Sequence, residues 1–197
     1  MARCLIAGCG YVGAALAVLL RDAGHDVVGL KRRPAGLPEG ITPLAADLSD
    51  ANALAAALAR IEAPPNVVVY AAAADGGDDA SYRRAYVDGL SNLVVALQTR
   101  AATPAGVFFT SSTAVYAQDD GAWVDESSPT APSDFRGARM LEAEAVLAAS
   151  GFPAVSLRLG GIYGPGRTRL VESVRSGRAT LRAGPPRTRA SLALPGH

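Results

Sequence analysis

At 197 residues the chain is the size of one α/β domain. With 49% hydrophobic and 19% charged residues, it holds too much apolar surface to be disordered over most of its length. The formal net charge of +1 conceals an asymmetry: residues 1–166 carry 12 Lys+Arg against 17 Asp+Glu, whereas residues 167–197 carry seven Arg against the single Glu172. A negative body argues against nucleic acid as a partner, and a basic end alone does not restore it.

Near the N-terminus, Cys4 and Cys9 are too few and too close for a disulfide framework, so a reducing cytoplasm is the expected setting. The uncharged stretch Cys4–Leu20 has the composition of a signal peptide or short membrane span. Against that, Gly8, Gly10 and Gly13 stand in it at a specific spacing, and Asp22 and Asp26 follow at once. No other apolar run approaches spanning length, so no membrane partner is expected.

Short β-branched runs then alternate with Ala/Leu-rich stretches. The pattern predicts strands at Arg3–Ala7, Asp26–Leu30, Thr42–Ala46, Val67–Ala71, Val107–Ser111 and Ala154–Leu159. Helices are predicted at Val12–Ala23, Ala51–Ile61, Ala80–Arg100 and Arg136–Ala149. Strands that are apolar on both faces call for helices on both faces. Right-handed crossovers then give an α/β, doubly wound parallel sheet with strand order 3-2-1-4-5-6.

The first strand runs into Gly8-Cys9-Gly10-Tyr11-Val12-Gly13 and then into a helix. This is the Gly-x-Gly-x-x-Gly arrangement of a Rossmann-like dinucleotide site. Gly8 serves the tight turn, Gly10 clears room for a pyrophosphate, and Gly13 lets helix and strand pack closely. The helix N-terminus offers unpaired N–H groups to the anion. An acid at the end of the second strand would bind the ribose 2′-hydroxyl of NAD, but Lys31-Arg32-Arg33 stand there instead. Three cations suit a 2′-phosphate, so NADP is the favoured cofactor, with NAD as the alternative and a solvated basic loop as the plain reading. Asp47-Leu48 after the third strand and Ala71-Ala72-Ala73 after the fourth complete the candidate cofactor wall.

Further along stand Phe109-Thr110-Ser111-Ser112-Thr113-Ala114-Val115-Tyr116, the segment Asp125-Glu126 to Pro132, and Arg158-Leu159-Gly160-Gly161-Ile162-Tyr163-Gly164-Pro165-Gly166. With Gly8–Gly13 and Asp47-Leu48, these make residues 3–166 resemble the short-chain dehydrogenase/reductase superfamily, in its extended branch of NAD(P)-dependent epimerases and dehydratases. The resemblance implies that Ser112 hydrogen-bonds a substrate oxygen and that Gly164 and Pro165 contact the cofactor. It also implies a Tyr that moves a proton and a Lys four residues later that lowers its pKa. Phe135 aligns with that Tyr and Arg139 with that Lys. Phe has no proton to give, and Arg139 keeps a charge for ribose or phosphate without serving as a proton shuttle. Tyr86 stands where the family has an Asn. Candidate substitute acids are Tyr116, Tyr163 and Tyr86, for each of which packing or a cofactor shelf is the plainer role. Trp123, in the loop Trp123–Pro129, either covers a substrate or plugs its own loop.

The resemblance implies an NADP-preferring oxidoreductase or epimerase acting on a sugar-nucleotide-like or small carbonyl or hydroxyl substrate. The alternative is a non-catalytic NADP-binding sensor or an inactive paralogue. It also implies a homodimer through the helices at Ala80–Arg100 and Arg136–Ala149. His25 in a turn and His197 at the end form no ligand set with the cysteines, so no metal is expected. The expected organisation is a dinucleotide-binding domain at 1–166 and a basic, Pro/Gly-rich remnant at 167–197. A short helix is plausible there at Arg169–Arg175, with little periodicity beyond it. Family members continue into a substrate lobe, so truncation or a frame change after about residue 166 is the expectation here.

Overall fold

The six apolar runs pair side by side as parallel strands. A computed structural model describes residues 1–118 and 122–179. Its strands are β1 (Arg3–Ala7), β2 (Asp26–Lys31), β3 (Thr42–Ala45), β4 (Val67–Tyr70), β5 (Gly106–Ser112) and β6 (Ala154–Leu159). Their order is β3-β2-β1-β4-β5-β6, the doubly wound arrangement expected from the sequence. Strand ends differ from the expected ones by at most one residue.

The register sets Leu5 between Val28 and Val68, and Ala7 between Leu30 and Tyr70. Because side chains alternate along a strand, this stacks one apolar face. That face packs on α2 (Ala51–Ala59), α4 (Gly89–Thr99) and α5 (Phe135–Ala148) through Leu54, Leu58, Leu90, Leu97 and Leu147. The opposite face carries Cys4, Ile6, Val27 and Val69 and is covered by α1 (Tyr11–Asp22) with Ile41 and Leu37. Both cysteines are free and buried, and burial pushes both thiols up from their ordinary pKa. The expected cover on both faces gives out at β6, where Val155 and Leu157 are exposed. The short α6 (Arg169–Arg175) buries none of its residues. The expectation for the basic end from residue 180 onward lies outside the described residues.

Three helix starts are fixed by aspartates. The Asp50 carboxylate accepts from the Ala53 N–H, Asp78 from Ser81, and Asp134 from both Arg136 and Gly137. The single helix expected over Ala80–Arg100 is divided into α3 (Asp79–Tyr82), a π-helical turn (Arg83–Asp88) and α4. The buried Tyr70 hydroxyl donates to the Ala85 carbonyl inside that turn and occupies an acceptor of the helical ladder. Burial pushes the Tyr70 pKa far up, so its hydroxyl remains a donor. Among the described residues no helix is long and apolar enough to cross a membrane.

Phe109 joins sheet to helices at the centre of the larger core: it is fully buried, with the Tyr70 ring at 6.0 Å and the Tyr86 ring at 6.5 Å. Replacing it by Ala removes that ring and leaves a cavity, so Phe109→Ala is expected to lower unfolding free energy by about 3–5 kcal/mol. The midpoint of urea denaturation, at unchanged slope, measures it.

Candidate functional site

Strand order reverses at β1, which has β2 on one side and β4 on the other. The segments leaving the carboxyl ends of these strands part there, and a cleft of about 1240 Å³ opens between them. Its floor begins at the glycine turn. Gly8 has φ of +94°, and a Cβ there would overlap the Ala72 backbone. The turn after β1 therefore closes directly onto the segment after β4, which only glycine permits. A Cβ on Gly13 would lie 2.5 Å from the Gly8 carbonyl oxygen, so α1 also packs against this turn.

Gly10 differs from these two. A Cβ there would meet nothing within 4 Å, so the position is open to the cleft and not filled by protein. The N–H groups of Gly8 and Cys9 donate to the Leu30 carbonyl, and that of Gly10 to the Gly8 carbonyl. Those of Tyr11, Val12 and Gly13 have no acceptor among the described residues, and no side chain caps α1. An open backbone beside unpaired donors at a helix N-terminus fits a pyrophosphate. The Cys9 side chain lies in the core under Gly29, so the cleft does not receive it.

Lys31, Arg32 and Arg33 reach the same cleft from the end of β2, and Asp47 and Leu48 from the end of β3. Ala71, Ala72 and Ala73 line it between them. Asp47 accepts from the Ser49 N–H at 2.9 Å and from the Ser49 hydroxyl at 2.7 Å, bonds that hold its carboxyl below the usual range. Arg32 is not a free cation: its two terminal nitrogens donate to the two oxygens of Asp75, each at 2.6 Å. Gly164 lies against the Tyr11 hydroxyl, and neither it nor Pro165 is on the cleft wall.

At the β5 end, Ser112 lines the cleft and its Oγ accepts from the Ala114 N–H at 3.2 Å, capping the 3₁₀ turn Thr113–Val115. The Ser112 hydroxyl proton has no acceptor among the described residues. Facing it, α5 presents Arg136 and Met140 to the cleft, and not Phe135 and Arg139. Each helical residue turns about 100° from the one before, so a shift of one position moves a pair off the wall. Phe135 packs edge-on against Tyr82 at 5.5 Å. Arg139 donates to both Asp79 oxygens at 2.7 and 2.9 Å and to Glu142 at 2.6 Å. These carboxylates draw it away from the place where a ribose contact was expected. The start of α5 is set by the Asp134 cap.

Of the three substitute acids, Tyr86 alone lines the cleft. Its hydroxyl accepts from the Ala74 N–H at 3.4 Å, and burial pushes its pKa up. Tyr116 lies behind the wall instead, accepting from Arg158 at 2.9 Å and donating to the Asp125 carbonyl at 2.8 Å. Arg158 also forks onto both Glu144 oxygens at 3.1 and 2.8 Å, and Ser111 donates to Glu144 at 2.6 Å. This network joins α5, β5, β6 and the loop that follows Trp123. Trp123 itself is 93% exposed and does not cover the cleft. Tyr163 is also exposed and off the wall. Arg84 and Arg167 line the cleft without a carboxylate partner among the described residues, Arg167 lying 5.6 Å over the Tyr11 ring. Sequence spacing had singled out neither.

Among the described residues no group of His, Cys, Asp and Glu is placed to hold a metal. The fold is similar to that of a structure from Methylobacillus flagellatus assigned to the NAD-dependent epimerases/dehydratases, at 40% identity and a TM-score of 0.75. That match covers 91% of this chain and 62% of the other. It is similar also to the Bordetella bronchiseptica enzyme WbmG in complex with NAD, at 26% identity and a TM-score of 0.75, over 91% and 61% of the two chains. A UDP-glucose 4-epimerase of Streptomyces lividans is 29% identical over 180 residues, which span 86% of this chain and 55% of that protein. The chain thus spans less than two thirds of the length of each of these relatives. The model of the NAD dependent epimerase/dehydratase family matches residues 4–182, and the chain belongs to that family.

Proposed function

We propose that residues 1–166 form a dinucleotide-binding domain that takes NADP(H) in preference to NAD(H). The observation that carries this reading is the open Gly10 beside the unpaired N–H groups of Tyr11 and Val12, at the head of a cleft with three cations at the β2 end. The pyrophosphate would lie on the first turn of α1, and the adenosine ribose beside Lys31, Arg32 and Arg33. A cation-rich ribose site favours a ribose that carries phosphate.

The reaction we assign to the site is an oxidoreductase or epimerase reaction on a sugar-nucleotide-like or small carbonyl or hydroxyl substrate. Support comes from Ser112 on the cleft wall and from the sugar-nucleotide epimerase among the relatives. A bound nicotinamide would supply hydride acceptance and donation. Ser112 would donate its free proton to the substrate oxygen and hold it in place. Tyr86 is the phenol available to the cleft, and with its pKa raised it acts as a proton donor rather than as a phenolate base. Arg136 and Met140 hold no transferable proton near neutrality. That pair favours a second reading, a non-catalytic sensor that binds the dinucleotide and reports it to a partner.

Isothermal titration with NADPH and NADH tests the binding. NADPH is expected to bind at least threefold more tightly and to raise the melting temperature in proportion to ln(1 + [L]/Kd), and equal affinities would remove the NADP preference. Gly10→Ala is expected to cost no more than about 2 kcal/mol of stability, since its Cβ meets open space, yet to weaken NADPH binding tenfold or more. For catalysis, NADPH oxidation would be followed over a panel of sugar nucleotides and small carbonyls, with Ser112→Ala and Tyr86→Phe as variants. A loss of about 10²-fold or more in kcat for either variant fits the assigned roles. Tight NADPH binding with no turnover on any substrate fits the sensor.

A further inference from the structure

The adenosine end of the cleft holds an anion of the protein's own. Arg32 leaves β2 and Asp75 follows β4, strands that have β1 between them, so their bidentate pair reaches across the cleft mouth. Both residues line the cleft, and their side chains are 54% and 69% exposed. An ion pair this exposed is screened by water and salt and opens at little cost. Arg33 and Arg84 add positive field at the same carboxylate, which lies well below its ordinary pKa chiefly through its bond to Arg32. The guanidinium fork that grips two carboxylate oxygens is the same fork that grips two oxygens of a phosphate monoester. A carboxylate and a 2′-phosphate therefore compete for one set of donors.

We infer that Asp75 sets the cofactor selectivity of this site, by filling the Arg32 fork when the ribose carries a 2′-hydroxyl and giving way when it carries a 2′-phosphate. The inference rests on the dinucleotide site proposed above and adds the residue that tunes it. With NAD(H) the pair stays closed, so the Arg32 guanidinium keeps its anion. With NADP(H) the pair opens, and a phosphate of charge about −2 takes the Arg32 donors while the exposed Asp75 carboxylate turns to solvent. The exchange is favourable but opposed, so both cofactors are accepted and the margin between them narrows with salt.

Binding of NADPH and NADH, and of 2′-AMP and 5′-AMP as probes of the adenosine end alone, would be measured by calorimetry on the full chain and on Asp75→Asn, Asp75→Ala and Arg32→Gln. Removing the competitor is expected to tighten NADPH and 2′-AMP about two- to fivefold, the scale of an exposed ion pair, with NADH and 5′-AMP unchanged within twofold. Arg32→Gln is expected to weaken NADPH and 2′-AMP about tenfold and to leave NADH little changed. The two Asp75 variants lie at an exposed position, and equal melting temperatures verify that they are folded. If both dinucleotides bind and neither Asp75 variant alters their ratio, or both variants weaken the two cofactors alike, this inference is overturned while the dinucleotide site stands. If neither dinucleotide binds the unaltered chain, the proposed function falls and this inference falls with it.

Discussion

The close approach of the β1 and β4 ends is the constraint on which the rest of the molecule depends. Parallel pairing brings Ala7 beside Tyr70, and the chain leaving β1 must then turn within van der Waals reach of the chain leaving β4. Gly8 absorbs the contact because it has no Cβ to place against Ala72 and tolerates a φ of +94°. Once that turn is made, the first turn of α1 has one direction left to it, with its N-terminal N–H groups facing the cleft. The cleft, the open N-terminus of α1 and the packing of α1 on the sheet all follow from this approach.

Around this fixed turn, ion pairs tie together side chains from different elements. Exposed pairs of this type add little stability singly, but their geometry decides which cations remain for a ligand. Asp79 and Glu142 hold Arg139 on the outer side of α5, and Glu144 holds Arg158 behind the cleft wall. Asp75 holds Arg32 at the cleft mouth, while Arg84 and Arg167 on the wall have no carboxylate partner among the described residues. The charge available to a ligand is thus far from what counting basic residues suggests. Arg139 is charged and near the right place in the sequence, yet each of its three guanidinium nitrogens already donates to a carboxylate.

Much of the fold was legible in the sequence because parallel strands buried on both faces read as unbroken apolar runs, and because handedness leaves few ways to connect them. The glycine turn was equally legible, since its spacing has a steric meaning that holds wherever a strand enters a helix. Features that depend on a partner distant in sequence were not. The π turn at Arg83–Asp88 receives the hydroxyl of Tyr70, from a different element, and no local pattern announces that contact. The resemblance sets Phe135 and Arg139 at the proton relay, whereas α5, turning about 100° per residue, brings Arg136 and Met140 to the cleft.

The sequence by itself determined the strand order, the glycine turn with its open position at Gly10, and the cations at the end of β2, because each rests on local chain geometry or on residue type. Tertiary structure alone decided which of those cations are free, which tyrosine reaches the cleft and which face of α5 lines it. These depend on contacts between residues as far apart as Arg32 and Asp75, or Ser111 and Glu144, whose pairing is settled only when the sheet brings their strands and helices together.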